Sequence, residues 1–417
     1  MKYGWLGCLF LVSLLSAGTQ DSETNVNTRY TVETVRVAGD GWATDPAADR
    51  DSKLSIGLRR EIAGMIGEKL NPAILDDLAK RLRKELHART VEHRVLRGKS
   101  PEYVQVIFDV ALRPTHFDVS VPKFLYARGL GWSGAVEGTA TIHQNGFTAG
   151  LVSDTDELAE RYAGIEGRYE NAHLGTDRVR LLFEIDSYHQ VWDADSLAAA
   201  RASGYDTYRT RENFQPVVTV RIARPLTVSV GASFESMEGE VPDSRTLAAN
   251  SVLASARYHQ ELEGAADQQF VDGSYDMRAG TRTLGSDYAY TRHKWEARYT
   301  WIRGKHMLMD DAMGGVIYGQ APLFERFVLG NSTTLRGWNK YDVDPIGGNR
   351  MLHNSVEYRY GIFQVFYDSG AIWDGGQTVI ARNSIGAGLR QGPFSVAVAF
   401  PLRDGRTDPV FIVGMNY

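Results

Sequence analysis

Two periodicities divide this chain. Between residues 29 and 112, strand-like and helix-like spacings follow one another. Tyr30 to Val37, rich in Val and Thr, predicts a strand. A polar loop is expected from Gly39 to Asp51. Ser55 to Leu70 predicts a helix, because Leu58, Ile62, Met65, Ile66 and Leu70 recur at helical spacing. Asn71-Pro72 marks a second helix start, running to about Ala88, with Ile74, Leu75, Leu78, Leu82 and Leu86 on one face. Thr90 to Val95 and Tyr103 to Val110 predict two more strands, joined by the charged turn Arg97 to Pro101. Lys80, Arg81, Arg83, Lys84, His87 and Arg89 give the second helix a basic face, most simply a solvated one.

From residue 116 onward the helical period largely disappears and alternation takes over. Val179, Leu181, Phe183 and Ile185 alternate with Arg180, Leu182, Glu184 and Asp186. Val218, Val220 and Ile222 flank Thr219 and Arg221. Trp295, Ala297, Tyr299 and Trp301 alternate with Lys294, Glu296, Arg298 and Thr300. Val356, Tyr358 and Tyr360 alternate with Ser355, Glu357 and Arg359. A soluble β-sandwich also alternates. Three features favour a membrane-spanning barrel. The polar face is often charged while the other is rich in Trp and Tyr, which suits a wet lumen and an interfacial aromatic girdle. Several strands reach the ~9–11 residues a tilted span needs. The chain also ends on a strand, with Phe411, Val413, Met415 and Tyr417 on one face. Lipid offers no partner to an open sheet edge, so such a sheet must close. About sixteen strands are expected from 116 to 417. The number must be even if the N-terminal domain and the end of the last strand both face the periplasm.

Composition agrees with this reading only indirectly. Across 417 residues, 43% are hydrophobic and 23% charged, and mean hydropathy is −0.30. These averages exclude a polytopic helical membrane protein, while a barrel with alternating faces passes as soluble. Eight Trp, 20 Tyr and 16 Phe exclude long disorder. A net charge of −5 gives no basic field for nucleic acid. The one long apolar run lies between Lys2 and the small residues Ser16, Ala17 and Gly18, which predicts a signal peptide over residues 1–18 rather than a membrane anchor. Cys8, the sole cysteine, falls inside it. The processed chain would then have no disulfide, thiolate metal site or cysteine nucleophile.

One connection breaks the rhythm. The stretch between the strands near Met307 to Tyr318 and Asn354 to Tyr360 is long and too rich in apolar residues for disorder. It carries Gly330-Asn331-Ser332 and then Leu335-Arg336-Gly337-Trp338. Downstream lie Glu357-Tyr358-Arg359 and Phe366-Tyr367-Asp368-Ser369-Gly370. This tetrad, the two strand motifs, their order and the terminal aromatic residue together resemble the BamA/TamA family of outer-membrane assembly and translocation proteins (the bacterial surface antigen family). The strand–helix–helix–strand–strand order over 29–112 resembles a POTRA (polypeptide-transport-associated) domain, as that family would have.

The resemblance implies an outer-membrane barrel with a periplasmic N-terminal domain that receives unfolded polypeptide. It implies a weakened seam between the last strand, Phe411 to Tyr417, and either a strand around Gly134 to Ile142 or one starting near Phe117. It implies that Phe411, Val413, Met415 and Tyr417 serve as a β-signal for assembly. By the alternation, Phe366, Asp368 and Glu357 point into the lumen. If the loop folds back inside, Arg336 can reach both acids, since a guanidinium forks onto carboxylates. Gly337 would permit close approach, Trp338 would pack on the wall, and Leu335 and Gly370 complete the motif. The alternative is a solvated Arg336 and acids that merely line a wet lumen.

No catalytic or metal constellation is expected. No Gly-x-Ser-x-Gly surrounds any serine, and His189, His259, His293 and His353 read as scattered lumen residues. The reading is therefore an all-β transmembrane barrel preceded by a small α+β domain, with no cofactor. Its expected partners are outer-membrane lipid, unfolded polypeptide and periplasmic or assembly-machinery proteins, with no nucleic acid. A passive pore or lipid or solute channel, and a surface β-sandwich adhesin, are the alternatives.

Overall fold

The computed structural model describes residues 29–39, 42–44, 54–86, 88–112, 115–142, 144–172, 174–176, 178–240, 245–262, 267–403, 405 and 408–416. The predicted leader, His87 and Tyr417 lie outside these. The chain divides between Leu112 and Arg113 into two units.

In the first unit, β1 (Thr31–Gly39), β2 (Trp42–Thr44), β3 (Ala88–Arg97) and β4 (Tyr103–Leu112) form one sheet in the order β2-β1-β4-β3. The β1–β4 pair is parallel and the others are antiparallel. Helices α1 (Ile56–Gly64) and α2 (Pro72–Glu85) lie between β2 and β3 in the chain. Ser55 and Asn71 cap them with side-chain oxygens. Val35, Val37, Ile62, Leu82, Val106 and Phe108 bury completely to form the core.

Several expectations need correction, among them the second helix, which ends at Glu85 rather than near Ala88. The first helix stops at Gly64 rather than Leu70. Gly67, at φ +89°, turns the chain back, so that Lys69 bridges to Thr31. Ile66 and Ile74, placed by spacing on the apolar faces, are instead exposed. The expected loop from Gly39 also holds the short strand β2.

The second unit is a closed antiparallel barrel of sixteen strands. The first is His116–Ala127, the second Gly131–Ile142, the third Asn145–Asp154 and the fourth Arg161–Asn171. The fifth to seventh are Val179–Val191, Tyr208–Arg221 and Leu226–Gly239, the eighth runs over Leu247–Ala248 and Ser251–Leu262 with a break between the two pieces, and the ninth is Gln268–Gly280. The tenth to thirteenth are Ala289–Arg303, His306–Gln320, Arg350–Tyr360 and Phe363–Trp373. Arg382–Gln391, Phe394–Leu402 and Val410–Asn416 complete the wall.

The wall is inside out relative to a soluble sheet. Ile185, Trp295, Tyr299, Val356 and Tyr358 stand exposed on its outer face, as the alternation requires. Phe411, on the last strand, shares that exposure, with Val413 and Met415 on the same side and Ile412 buried between them. Along most of the barrel neighbouring strands pair end to end, as Ala289–Arg303 does with His306–Gln320. At closure only residues 123–127 pair with 412–416. Of the two candidate strands for this seam, it is the one starting near Phe117 that meets the last strand.

The sequence pattern missed α3 (Ala194–Ser203), between the fifth and sixth strands, and a single helical turn, Lys340–Val343, between the eleventh and twelfth. Asp193 caps the start of α3, and Gly204 ends it in the left-handed conformation at φ +71°. Its apolar contacts belong to the barrel's largest buried cluster, which joins Trp192, Leu197 and Ala200 to Phe324, Leu329 and Ile346 of the long connection. The connection therefore supplies part of a hydrophobic core inside the barrel, together with wall residues such as Met237, Ile317 and Met351.

Candidate functional site

The connection between the eleventh and twelfth strands, residues 321–349, folds back against the inner wall. Phe327 and Gly348 bridge across its base in both directions, each N–H donating to the other's carbonyl at 2.9 Å. Two charged groups anchor that base. Arg278 of the ninth strand donates to Glu325 at 2.7 Å and to Glu235 at 2.9 Å, and the Tyr290 hydroxyl also donates to Glu325. Arg326 donates to both oxygens of Asp374 and to the Ile346 and Gly347 carbonyls, and its guanidinium stacks on Tyr205.

At the tip, Asn331 makes a tight turn. Its side-chain oxygen accepts from the backbone and hydroxyls of Thr333 and Thr334. The turn delivers Leu335 in the left-handed region, φ 51°, the only such non-glycine residue among the described ones. Leu335 is fully buried, and its N–H donates to His353 Nε2 at 3.1 Å. A β-carbon in that conformation is strained by ~1–3 kcal/mol, so the surrounding contacts must over-determine it.

Those contacts centre on Arg336. Its N–H and Nε both donate to Asp368 Oδ2, at 2.9 and 3.0 Å. Nη2 reaches Asp368 Oδ1 at 2.8 Å and Ser355 Oγ at 2.9 Å, and Nη1 reaches Glu357 Oε2 at 2.8 Å. Ser355 in turn donates to Asp368 at 2.7 Å, and Arg359 donates to the other oxygen of Glu357. The guanidinium lies 3.4 Å from the centroid of the Phe366 ring. Asp368 is wholly buried and Glu357 nearly so. Arg336 thus bridges two desolvated carboxylates, Glu357 sharing Arg359 as a second cation, with most of the Arg336 donors satisfied.

Glycines make the approach possible. A Cβ at Gly337 would stand 2.6 Å from Ser384 Cβ and 2.9 Å from the Phe400 carbonyl carbon. A Cβ at Gly386 would strike the Phe366 ring at 2.1 Å, so that ring fills the groove the glycine leaves. Gly370 gives room to Leu329. Trp338 donates its Nε1–H to the Asn383 carbonyl at 2.9 Å. Leu335, Arg336, Gly337, Trp338, Glu357, Phe366, Asp368 and Gly370 therefore meet in one place, while Phe411, Val413 and Met415 lie on the outer face of the last strand.

Several participants carried no sequence signal. His353 lies beneath the tip rather than loose in the lumen. Ser355 and Ser384 have no distinguishing pattern. Lys340 is buried, and burial pulls its ammonium down to about 8 despite neighbouring carboxylates. Among the described residues no cluster of His, Cys, Asp and Glu is arranged to hold a metal ion.

Fold and site define a closed sixteen-strand outer-membrane-type barrel whose longest connection is clamped inside it. The chain belongs to the Omp85 superfamily, whose domain matches residues 129–414. The outer membrane assembly factor BamA of Nitratidesulfovibrio vulgaris is 25% identical over 253 residues, covering 49% of this chain. The chain spans only about a third of that relative's length, 32%. Among solved structures, BamA from Haemophilus ducreyi lacking POTRA domains 1–3 aligns with TM-score 0.63 at 16% identity, covering 93% of this chain and 84% of that one. CdiB from Acinetobacter baumannii aligns with TM-score 0.58 at 15% identity, covering 93% and 74%. At such identities the alignments speak for the fold.

Proposed function

We propose that this protein inserts or translocates polypeptides at the outer membrane, in line with a relative named as an outer membrane protein assembly factor. The observation that carries the reading is the short closure of the barrel. A membrane barrel gains from pairing every strand edge, yet here residues 116–122 of the first strand have no partner on the seam side among the described residues. That leaves backbone donors and acceptors in the barrel wall where an incoming strand could add by β-augmentation.

The first unit, POTRA-like in its order of elements, lies in the periplasm in this reading and receives the unfolded substrate. Phe411, Val413 and Met415, with Tyr417, serve as the β-signal in the chain's own assembly. Arg336 with Asp368 and Glu357 locks the connection to the wall as a structural or gating element. The protein works by binding and opening, without covalent chemistry.

Comparing outer-membrane and secreted proteomes of a deletion strain with wild type tests this. Loss of one or a few proteins is expected and would name the substrate. An unchanged protein profile with altered permeability to small solutes would overturn the reading in favour of a pore.

A further inference from the structure

The connection that carries Arg336 also holds the opposite side of the seam. On one side, Arg336, Gly337 and Trp338 bind the twelfth to fourteenth strands. On the other side, residues 155–160 form the turn after the third strand. There, the Ser332 N–H and Oγ donate to the two oxygens of buried Asp156 at 3.0 and 2.6 Å. Lys340, 1% exposed, donates to the Thr155 carbonyl at 2.7 Å and to the Leu158 carbonyl. The Asn339 amide fills the space over Gly129, where a Cβ would come within 2.6 Å of it. Between the two grips, Tyr341 packs on the seam itself, against a cluster of Leu125, Ala127 and Leu130 with Ile412 of the last strand.

We propose that residues 331–341 form a clasp that holds the barrel seam shut, and that its releasable half is the grip of Ser332 and Lys340 on the 155–160 turn. The two halves differ in kind. The Arg336 half pairs a cation with two buried carboxylates, and separating them would strand charge on both sides. The Asp156 half hydrogen-bonds a carboxylate to a neutral hydroxyl and N–H, and an ammonium to neutral carbonyls; Asp154, Asp156 and Glu160 attract Lys340 from nearby, but it makes no direct ion pair with them. On release, water can replace each of these partners. Freed Lys340 would also recover its hydration. Releasing this half lets the first four strands swing outward while the clasp stays docked on the other wall. The short pairing of 123–127 with 412–416 leaves the clasp a large share of what holds the seam. Only the clasp's purpose rests on the translocation reading, and its existence is measurable without any substrate.

Hydrogen exchange on the full chain in detergent micelles provides that measurement. The variant Asp156→Ala with Lys340→Met should speed exchange of the 123–127 and 412–416 amides about tenfold, the loss expected from removing charged hydrogen bonds that oppose local opening. The long pair formed by the tenth and eleventh strands should be unaffected. Unchanged seam exchange, or an equal rise in both places, overturns the proposal. If that variant does not fold, Asp156→Cys with Ser332→Cys in a Cys8→Ser background replaces the grip by a reducible one. Seam exchange should then be about tenfold slower oxidised than reduced, and equal rates would overturn the clasp. A deletion strain with an unaltered proteome would count against translocation while leaving this result standing.

Discussion

Arg336 and Arg298 both point into the same lumen and both bind a carboxylate, but only one is enclosed. Arg298 reaches Asp311 through Nε at 2.9 Å, and its side chain keeps 51% of its exposure. The Arg336 side chain keeps 12%, with two carboxylates, a serine and an aromatic ring around it. Similar pairs at similar distances therefore differ in what surrounds them. Water screens the first and can replace either partner, whereas removing one member of the second leaves the other charged and dry. Distance alone does not distinguish a structural lock from a lumen contact.

The sharpest break in the comparison is Arg336→Ala. It should destabilise the docked connection by about 3–5 kcal/mol, because buried Asp368 loses its arginine and Glu357 keeps only Arg359. The check is denaturant unfolding in micelles, followed by tryptophan fluorescence, with protease cleavage within 321–349 as a second readout. Arg336→Lys should recover only part, since an ammonium cannot span both acids. Full recovery by lysine would show that charge alone matters and that the fork does not.

Next in size is Gly337→Ala. The added methyl meets Ser384 and the Phe400 backbone, and overpacking of this kind costs ~1–3 kcal/mol. Cleavage of the 321–349 connection should accelerate without loss of the barrel's heat-resistant gel mobility. If Gly337→Ala behaves as wild type, close approach at this glycine is not what seats Arg336.

How far this site could be seen in the sequence follows from the range of its contacts. Strand alternation repeats every two residues, so the lumen-facing positions of Glu357, Phe366 and Asp368 were legible locally. The tetrad named Arg336 as their partner through motif order. The long-range anchors of the connection, at base and tip, were not legible. Arg278 pairs with Glu325, and Asp156 with Ser332, across separations of 47 and 176 residues that no local period encodes. Lys340 carries no local signal, because nothing in its neighbours announces that two distant carbonyls await it. Helix α3 was missed for another reason. Ala194–Ser203 has almost no apolar face, and it is held by Leu197 and Ala200 packing on the folded-back connection, which exists only in the closed barrel.

Trp338→Phe sharpens the comparison at smaller scale. It keeps a ring on the wall but removes the hydrogen bond to the Asn383 carbonyl, a loss of about 1 kcal/mol. Arg298→Ala should cost less than any of these, ~0–1 kcal/mol, as a partly solvated pair is screened. Asp311 makes this the demanding case, since its own side chain is only 11% exposed and it stays behind when the arginine leaves. If the lumen beside it is wet, water takes over the carboxylate and the unfolding midpoint barely moves. A loss matching Arg336→Ala would mean that the lumen there is as dry as the lock, and the contrast between the two arginines would fall.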